Sequence, residues 1–409
     1  MNPVDNPYSP GAGSRPPELA GREQEIQDVD ILLKRLVTGK HSRSLLIRGL
    51  RGVGKTVLLN EFEQMAQRAG WYPAFREIST DQTSFRKVAT EMSRRVVLAM
   101  SAEARLKETA NRVLRVIKSF GLKAKVKDQG GMEWSIGIEP IAGLADSGDL
   151  KEDFADVLVE LGQLAKGHET GVVLLFDEVQ NLSGDDLSGL IVALHRVNQK
   201  NLPVTVVAAG LPQLAKLAAE AQSYAERLFK FVEIGALADT AGRRALEVPA
   251  GRSGVSFEPV ALDAIMDKSQ GYPYFVQEWG EKVWNTAPGP VVSGADVAKA
   301  TVLVEEALDN GFFFVRAERA TPGELKYMQA MAALGAGPYK SADVLRLLGG
   351  KTHADMGPVR DSLIKKGLVY SPTYAHIAFT VPQFEYFMRR KHPNFEQANR
   401  TKPRKHSTN

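Results

Sequence analysis

The residues most clearly suited to binding or catalysis lie at positions 49–56, where the sequence reads Gly-Leu-Arg-Gly-Val-Gly-Lys-Thr. The glycines allow backbone N–H groups to turn towards an anion, Lys55 can reach the outer phosphates, and the Thr56 hydroxyl can hold Mg²⁺. This spacing matches the phosphate-binding loop G-x-x-x-x-G-K-[ST] and predicts a site for a nucleoside triphosphate with magnesium. The candidate binding residues are Gly49, Gly52, Val53, Gly54, Lys55, Thr56 and Val57.

The residues on either side of this loop have the patterns that such a site needs. Ser44–Arg48 is a short apolar run that suits a buried strand, and Val57, Leu58, Phe62 and Met65 repeat at helical spacing. Strand, glycine loop and helix therefore follow in the required order. A chance glycine-rich turn is the alternative, and only a second element can decide against it.

That second element is residues 171–180, Gly-Val-Val-Leu-Leu-Phe-Asp-Glu-Val-Gln. Five apolar residues suit a parallel strand that is buried on both faces, and two carboxylates follow at the strand's carboxyl end. We expect Asp177 to orient magnesium and Glu178 to polarise an attacking water. The alternative is an acidic surface pair that merely closes a strand.

Composition narrows the class of protein. The 409 residues, 44% of them hydrophobic, allow two or three domains, and the absence of cysteine excludes disulfides and thiol catalysis. No apolar stretch reaches the roughly 18 residues of a membrane span, and the start of the chain lacks a signal pattern, so we expect a cytoplasmic protein without a membrane partner. Neither a G-x-S-x-G elbow nor protein-kinase motifs occur. No Asn-Lys-x-Asp element that would read guanine is present, so ATP is the preferred nucleotide.

The order of patterns predicts several segments. They are a flexible leader over 1–17, an α/β core over 18–234 with a hairpin insertion at 121–139, a helical region over 235–312, a small domain over 321–388, and a basic disordered tail over 389–409. No strand is expected within the helical region. The hairpin is predicted from two alternating runs about Asp128-Gln-Gly-Gly131.

Across residues 18–310 the chain resembles AAA+ ATPases of the branch that contains origin-recognition initiators, STAND signalling ATPases and transposition-helper ATPases. The resemblance is carried by Gly21-Arg22-Glu23, the two nucleotide motifs, the strand that ends in Ala-Ala-Gly-Leu-Pro-Gln-Leu, Arg227 before the last core strand, and Gly271-Tyr272-Pro273. It implies a P-loop parallel-sheet core with a helical lid over 235–312.

The resemblance also implies roles for single residues. Arg227 lies where such ATPases carry an arginine that reaches a neighbouring subunit's site, which implies a homo-oligomer or a protein partner that completes the ATP site. The alternative for Arg227 is an ordinary arginine at a helix end. Gly271-Tyr272-Pro273 resembles an element with which STAND-type lids approach the nucleotide, making Pro273 a further candidate. A tight turn between lid helices is an equally compatible interpretation.

Two departures from the family pattern favour a slow, partner-gated switch over a motor. The strand that should end in a polar sensor residue ends in Ala208-Ala209-Gly210, and no arginine stands beside Gly271-Tyr272-Pro273. In a switch, bound ATP and its hydrolysis bias two arrangements of core and lid.

Residues 321–388 carry three helical patterns followed by two strand patterns, which resembles a winged helix. Residues 321–409 hold 14 Lys and Arg against six Asp and Glu, which favours the C-terminal end as the place for an anionic partner. We expect duplex DNA to bind here, with Thr352, His353 and Arg360 facing bases or phosphates. The alternative is a STAND-like signalling ATPase whose winged helix docks protein.

Overall fold

The protein is described from a computed structural model that covers residues 1–11, 13–79, 84–101, 107–122 and 139–392. The chain forms two compact units. The sheet unit consists of Gly21–Gly49 and Gly54–Gly235, and the helical unit consists of Met1–Ala20, Leu50–Val53 and the chain from Ala236 onward. The middle of the phosphate loop is thus grouped with the helical unit.

The sheet unit contains five parallel strands in the order β2-β3-β4-β1-β5. They are β1 (Ser44–Arg48), β2 (Tyr72–Glu77), β3 (Val172–Asp177), β4 (Val204–Gly210) and β5 (Phe229–Glu233). Every residue of β3 and β4 is buried, which explains their uninterrupted apolar sequences. Leu45 of β1 and Leu175 of β3 both align with Val207 of β4. The loops after β1 and β3 therefore leave the sheet at the same ends of the parallel strands, with β4 between them. The predicted parallel α/β sheet is confirmed.

Eight α-helices and one short 3-10 helix, Val179–Asn181, are described in the sheet unit. The α-helices are α1 (Glu23–Val37), α2 (Lys55–Arg68), α3 (Phe85–Met100), α4 (Lys107–Leu122), α5 (Leu150–Lys166), α6 (Gly184–Gln199), α7 (Leu214–Ala221) and α8 (Ala225–Leu228). A buried ion pair between Arg86 of α3 and Asp153 of α5, 2.9 Å apart, supplements their apolar packing. The Arg86 guanidinium also lies 4.5 Å from the ring centroid of Phe120 in α4. The hairpin predicted over 121–139 falls on residues 123–138, which lie outside the described residues.

The helical unit begins its main part with a four-helix region. Its elements are α9 (Asp239–Arg252), β6 (Ser256–Phe257), α10 (Pro259–Ser269), α11 (Pro273–Thr286), β7 (Val291–Val292) and α12 (Gly294–Ala307). The expectation of no strand here is wrong, because β6 and β7 pair in parallel. Strands of two residues are too short to produce an alternating pattern that could be recognised in the sequence.

The leader is predicted to be flexible, but in the structure one of its side chains, Tyr8, is buried. Tyr8 is 4% exposed, and its hydroxyl donates a hydrogen bond to Leu246 O at 2.5 Å. Its ring packs edge-on to Trp284 and lies over Gly280, where a Cβ would come within 2.7 Å of the ring. A glycine in α11 thus provides the space that the aromatic side chain fills, which no local pattern in the leader could reveal.

A small C-terminal domain completes the helical unit. After a π-helical turn at Leu308–Phe313 come α13 (Phe314–Ala317), α14 (Pro322–Ala333), β8 (Tyr339–Lys340), α15 (Ser341–Leu347), α16 (His353–Lys365), β9 (Val369–Tyr370), β10 (His376–Phe379) and α17 (Phe384–Lys391). Antiparallel pairing gives the sheet order β8-β10-β9. The basic residues 389–391, predicted as part of a disordered tail, instead end α17, and Arg390 pairs with Asp309 at 2.5 Å. The rest of that predicted tail, 393–409, lies outside the described residues.

Candidate functional site

The phosphate loop joins β1 to α2 through a backbone that glycine makes possible. Gly52 and Gly54 have φ of 84° and 94°, in the left-handed region that side chains with a Cβ rarely adopt. Gly54 is the N-cap of α2 and has no side chain to accept from the first turn. Because α2 begins at the loop, the positive end of its dipole lies there, as an anion site requires. Val53 is buried, and Val57 lies in the first turn of α2.

Lys55 and Thr56 occupy the positions that the motif predicts. Lys55 is 5% exposed, and its Nζ donates to Gly49 O at 3.0 Å. The Thr56 hydroxyl donates to Asp177 Oδ2 at 2.5 Å, although the two residues are 121 positions apart in sequence. The fold thus brings together the two residues that were predicted to hold magnesium.

Asp177 is 2% exposed at the end of β3. Burial raises the pKa of Asp177, and hydrogen bonds from Thr56 and the Glu178 N–H, with the Lys55 charge, oppose this rise only in part. A divalent cation here would favour the ionised carboxylate. A carboxylate and a hydroxyl are hard oxygen donors that suit Mg²⁺, which takes its remaining ligands from water and phosphate. The residues present therefore fit the predicted metal.

Glu178 adopts φ 53° and ψ 37°, a left-handed conformation that is uncommon for glutamate. Its carboxylate accepts a hydrogen bond from Gln180 Nε2 at 2.6 Å. The other end of the same amide, Gln180 Oε1, accepts from the Leu211 N–H at 2.9 Å. Gln180 therefore links the candidate water-activating carboxylate to the residue that follows β4.

Gln180 is a site residue that the sequence analysis missed. The available signal was the apolar end of β4, where a polar side chain was expected and Gly210 stands instead. A Cβ on Gly210 would lie 2.5 Å from Gln180 Oε1, so glycine is needed for the amide to approach. The polar group at this place comes from the loop after β3.

Arg227 lies apart from the phosphate loop of its own chain. It is exposed in α8, immediately before β5, whereas the loop follows β1, and these two parallel strands are neighbours. The arginine and the loop are therefore at opposite edges of the sheet. Arg227 borders an open cleft of about 440 Å³ lined by His41, His195, Asn198, Gln199, Tyr224, Arg227 and Leu228.

Pro273 is the first residue of α11 in the helical unit. The preceding Gly271 has φ 66°, and its carbonyl accepts from the Leu237 N–H at 2.8 Å. A Cβ on Gly271 would come 2.4 Å from Leu237 O, so this turn requires glycine. Gly271-Tyr272-Pro273 thus forms the tight turn that was one of its two interpretations. The other interpretation, contact of Pro273 with a nucleotide, stays a prediction.

The surface of the C-terminal domain only partly matches the predicted DNA contacts. His353 is exposed, but the Thr352 hydroxyl caps α16 by accepting from the Asp355 N–H at 3.2 Å, and it donates to the Asp355 carboxylate at 2.8 Å. Arg360 is bonded to the Ser371 hydroxyl, and its side chain is only 29% exposed. Of the three predicted contacts, His353 alone is exposed and makes no hydrogen bond to another described residue.

The fold and the site together define a P-loop nucleotide-binding protein, in which β4 separates the acidic strand β3 from β1. Residues 18–207 match the family model of the AAA ATPase domain, and residues 310–388 match a Domain of unknown function (DUF8462). The first match contains the phosphate loop and the β3 carboxylates. This part of the chain is therefore an AAA+ ATPase domain.

A solved structure of similar fold supports the architecture. The chain is similar to the Walker-type ATPase PABY2304 of Pyrococcus abyssi, at 12% identity and a TM-score of 0.59, over 92% of this chain and 97% of that one. It is less similar to Aeropyrum pernix ORC1 in complex with DNA, at 15% identity and a TM-score of 0.44 over 94% and 95% of the chains. The Thermotoga maritima RuvB Holliday junction branch migration motor gives 16% identity and a TM-score of 0.45 over 92% and 98%. No curated protein matches the sequence.

Every helix in the described part of the chain is too short or too polar to cross a bilayer.

Proposed function

We propose that this protein binds ATP with Mg²⁺ and hydrolyses it slowly, as a nucleotide-dependent switch. The observation that carries this proposal is the convergence of Lys55, Thr56, Asp177 and Glu178 at one edge of the sheet. These residues come from the start of α2 and the end of β3, two segments that are adjacent only in the folded chain.

Each of these residues has a distinct role in the proposed reaction. The loop N–H groups and Lys55 bind the phosphates, and Thr56 and Asp177 hold Mg²⁺, which would neutralise charge on the transferring phosphoryl group. Glu178 orients and polarises the attacking water, and Gln180 holds the Glu178 carboxylate in place. Nucleotide contact by Pro273 belongs to the same proposal.

The slow rate is inferred from the end of β4. This strand ends at Gly210 without a polar side chain of its own, and the amide nearby is committed to Glu178 and to the Leu211 N–H. The proposed site accordingly depends on a partner for full activity. Arg227, at the opposite edge of the sheet, is suited to complete the site of a neighbouring copy, as an arginine finger does.

The C-terminal domain is proposed to be a winged helix that binds duplex DNA. Support comes from its element order, helix, strand, two helices and two strands, with antiparallel pairing. Lys351 and Lys365 are exposed near the two ends of α16, and Tyr374 is 97% exposed between β9 and β10. Such groups can contact phosphates on either side of a helix that enters the major groove.

The second candidate is a STAND-like switch whose C-terminal domain docks protein. Asp355 and Asp361 are both exposed on α16, so the helix that would enter the groove has mixed charge. Acidic side chains on this helix disfavour contact with phosphates and suit a polar protein surface. This observation keeps protein docking as the competing function.

Duplex-DNA binding by the full-length protein tests the choice, measured with ATP, with ADP and without nucleotide across a salt series. We expect ATP-dependent binding that weakens steeply with salt. The double variant Lys351→Glu, Lys365→Glu should weaken it at least about tenfold, whereas Lys34→Glu, an exposed lysine of α1, should not. Nucleotide binding with no DNA binding in any state would favour the docking function. Equally tight ATP binding by Lys55→Ala would overturn the nucleotide site itself.

A further inference from the structure

The basic excess of the C-terminal end is concentrated in and after α17. Residues 321–388 hold seven Lys and Arg against five Asp and Glu, whereas residues 389–409 hold seven against one. Three of these cations, Arg389, Arg390 and Lys391, stand together in the last turn of α17. Clustered cations favour a polyanionic partner, although cations at this end of a helix also offset its dipole. The contacts of the three side chains distinguish these two roles.

Arg390 is the cation that the fold has already neutralised. Its Nη2 donates to Asp309 Oδ1 at 2.5 Å and its Nε donates to Asp309 Oδ2 at 3.3 Å, and Asp309 is 6% exposed. This two-point pair fixes the end of α17 against the π-helical turn. Lys391 Nζ lies 3.9 Å from the same carboxylate, and 52% of its side chain is exposed. One carboxylate cannot balance two cations, so Lys391 retains a positive charge at the surface.

Arg389 lies on a different face of the helix from Arg390 and stacks on an aromatic ring. Its guanidinium carbon lies 4.9 Å from the ring centroid of Tyr386, one turn earlier. Both side chains are open to solvent, and Tyr386 is 44% exposed. Within the described residues Arg389 forms no ion pair, and Glu385, the single carboxylate of α17, is partly buried. A guanidinium stacked on a ring still has N–H donors at its edge that can bind an oxyanion.

The helix dipole explains why cations stand at this end of α17, but stacking on an exposed ring is not needed for that role. Helix α16, by contrast, exposes both Asp355 and Asp361. Arg389, Lys391 and Tyr386 thus form a surface with two unbalanced cations, an exposed ring and no exposed carboxylate.

We propose that Arg389, Lys391 and Tyr386 form a second contact surface for duplex DNA, on α17 and apart from α16. The proposal rests on the proposed DNA binding and names a further surface for the same partner. Arg389 and Lys391 each bind a backbone phosphate, and the Tyr386 hydroxyl donates to a phosphate oxygen. Duplex DNA suits this surface because its phosphates are closely spaced, which lets both cations engage at once. Phosphate contacts carry no base information, so the surface adds affinity without sequence preference.

The test titrates full-length protein with a fluorescent DNA duplex across a salt series and compares the wild type with the double variant Arg389→Gln, Lys391→Gln. The variant should raise the Kd about tenfold at low salt and lower the slope of log Kd against log salt by about two, since two phosphate contacts are lost. Its unliganded Tm should stay close to that of the wild type, because both side chains are at the surface. The matched control Lys326→Gln, Arg346→Gln removes two exposed cations from the same domain and should change the Kd less than about threefold.

Tyr386→Phe tests the hydroxyl while it keeps the ring under Arg389. We expect the Kd for duplex DNA to rise about three- to tenfold with the salt slope unchanged, because the hydroxyl carries no charge.

Wild-type DNA affinity in the double variant would overturn this surface and leave the proposed DNA function standing, as would an equal loss in the matched control. A loss that comes with a lower unliganded Tm would show that the end of α17 has a structural role only. Polyglutamate that competes as well as unlabelled duplex would assign the surface to an acidic protein. Absence of DNA binding by the wild type would overturn the proposed DNA function itself, and this surface with it.

Discussion

Glu178 is constrained in two ways, and both bear on its proposed role as the general base. Its left-handed backbone turns the chain sharply after β3, and the Gln180 amide fixes its carboxylate. A general base must be held within hydrogen-bond reach of the water that it activates. The strained backbone at this position accords with a role in positioning that base.

For Glu178→Gln we expect ATP binding to be retained and hydrolysis to fall by about 100-fold or more, since the amide cannot accept the proton. Turnover and equilibrium binding of ATP measure the two effects separately. Glu169→Gln is a matched control, because Glu169 is an exposed glutamate with a similar φ of 54°. Unchanged turnover in Glu178→Gln would remove the proposed role.

Gln180→Ala should lower turnover about tenfold while leaving the Kd for ATP nearly unchanged, because it frees the Glu178 carboxylate without touching the phosphate loop. Steady-state kinetics with an equilibrium binding titration make the comparison. Gln67→Ala, at an exposed position of α2, serves as the control. A weaker Kd with unchanged turnover would show that Gln180 supports binding instead of positioning Glu178.

At the level of elements, the C-terminal domain is joined by an ion pair between α14 and the end of α16. Glu324 is 3% exposed, and its carboxylate accepts from Lys366 Nζ at 2.6 Å. Burial alone would raise the pKa of Glu324, but hydrogen bonds from Lys366, Ser362 and Thr321 outweigh it and lower that pKa to about 2. Because the folded pKa is depressed, the stabilisation is present above the unfolded value near 4.5 and is lost as pH falls towards 2.

We expect Lys366→Met to destabilise the C-terminal domain by about 3 kcal/mol at pH 7, since a buried carboxylate loses its cation. Methyl NMR of Met328 and Met331 in full-length protein, followed through urea unfolding, measures the difference. The wild type and the variant should converge as pH falls from about 4.5 to about 2. Lys326→Met, exposed on α14, is the control. A gap that persists at pH 2 would contradict the assignment to Glu324.

At the scale of the whole molecule, the sheet separates Arg227 from its own phosphate loop. Strand β5 has five residues and spans about 16 Å between the two edges. A guanidinium at the start of β5 therefore cannot serve the loop that follows β1 in the same chain. Any catalytic role for Arg227 requires a second copy or another partner.

Mixing two inactive variants tests this requirement. Arg227→Ala and Glu178→Gln should each bind ATP and hydrolyse it poorly, whereas an equimolar mixture should regain about a quarter of wild-type turnover, because randomly mixed assemblies form intact sites across copies. Arg95→Ala, an exposed arginine of α3, should behave as wild type. A mixture that stays inactive would contradict action between copies, and full activity of Arg227→Ala alone would favour the helix-end alternative.

The amino-acid sequence alone is enough to predict the phosphate loop, the apolar strands beside it, the parallel α/β class and the AAA+ resemblance. These features are local: the glycines at 52 and 54 encode positive φ, and the apolar runs of β3 and β4 encode burial on both faces. Short-range sterics and the periodicity of hydrophobic residues act on neighbours along the chain, so they can be recognised without coordinates.

Contacts between groups that are distant in sequence are seen in the folded chain and could not be predicted from local patterns. The hydrogen bond from Thr56 to Asp177, the Gln180 bridge to Leu211 and the packing of Tyr8 against Trp284 each join residues that are far apart in sequence. Such contacts depend on strand order and on packing space, as at Gly210 and Gly280, where the lack of a side chain admits a neighbour. Packing complementarity belongs to pairs of surfaces, and no single segment of sequence carries it.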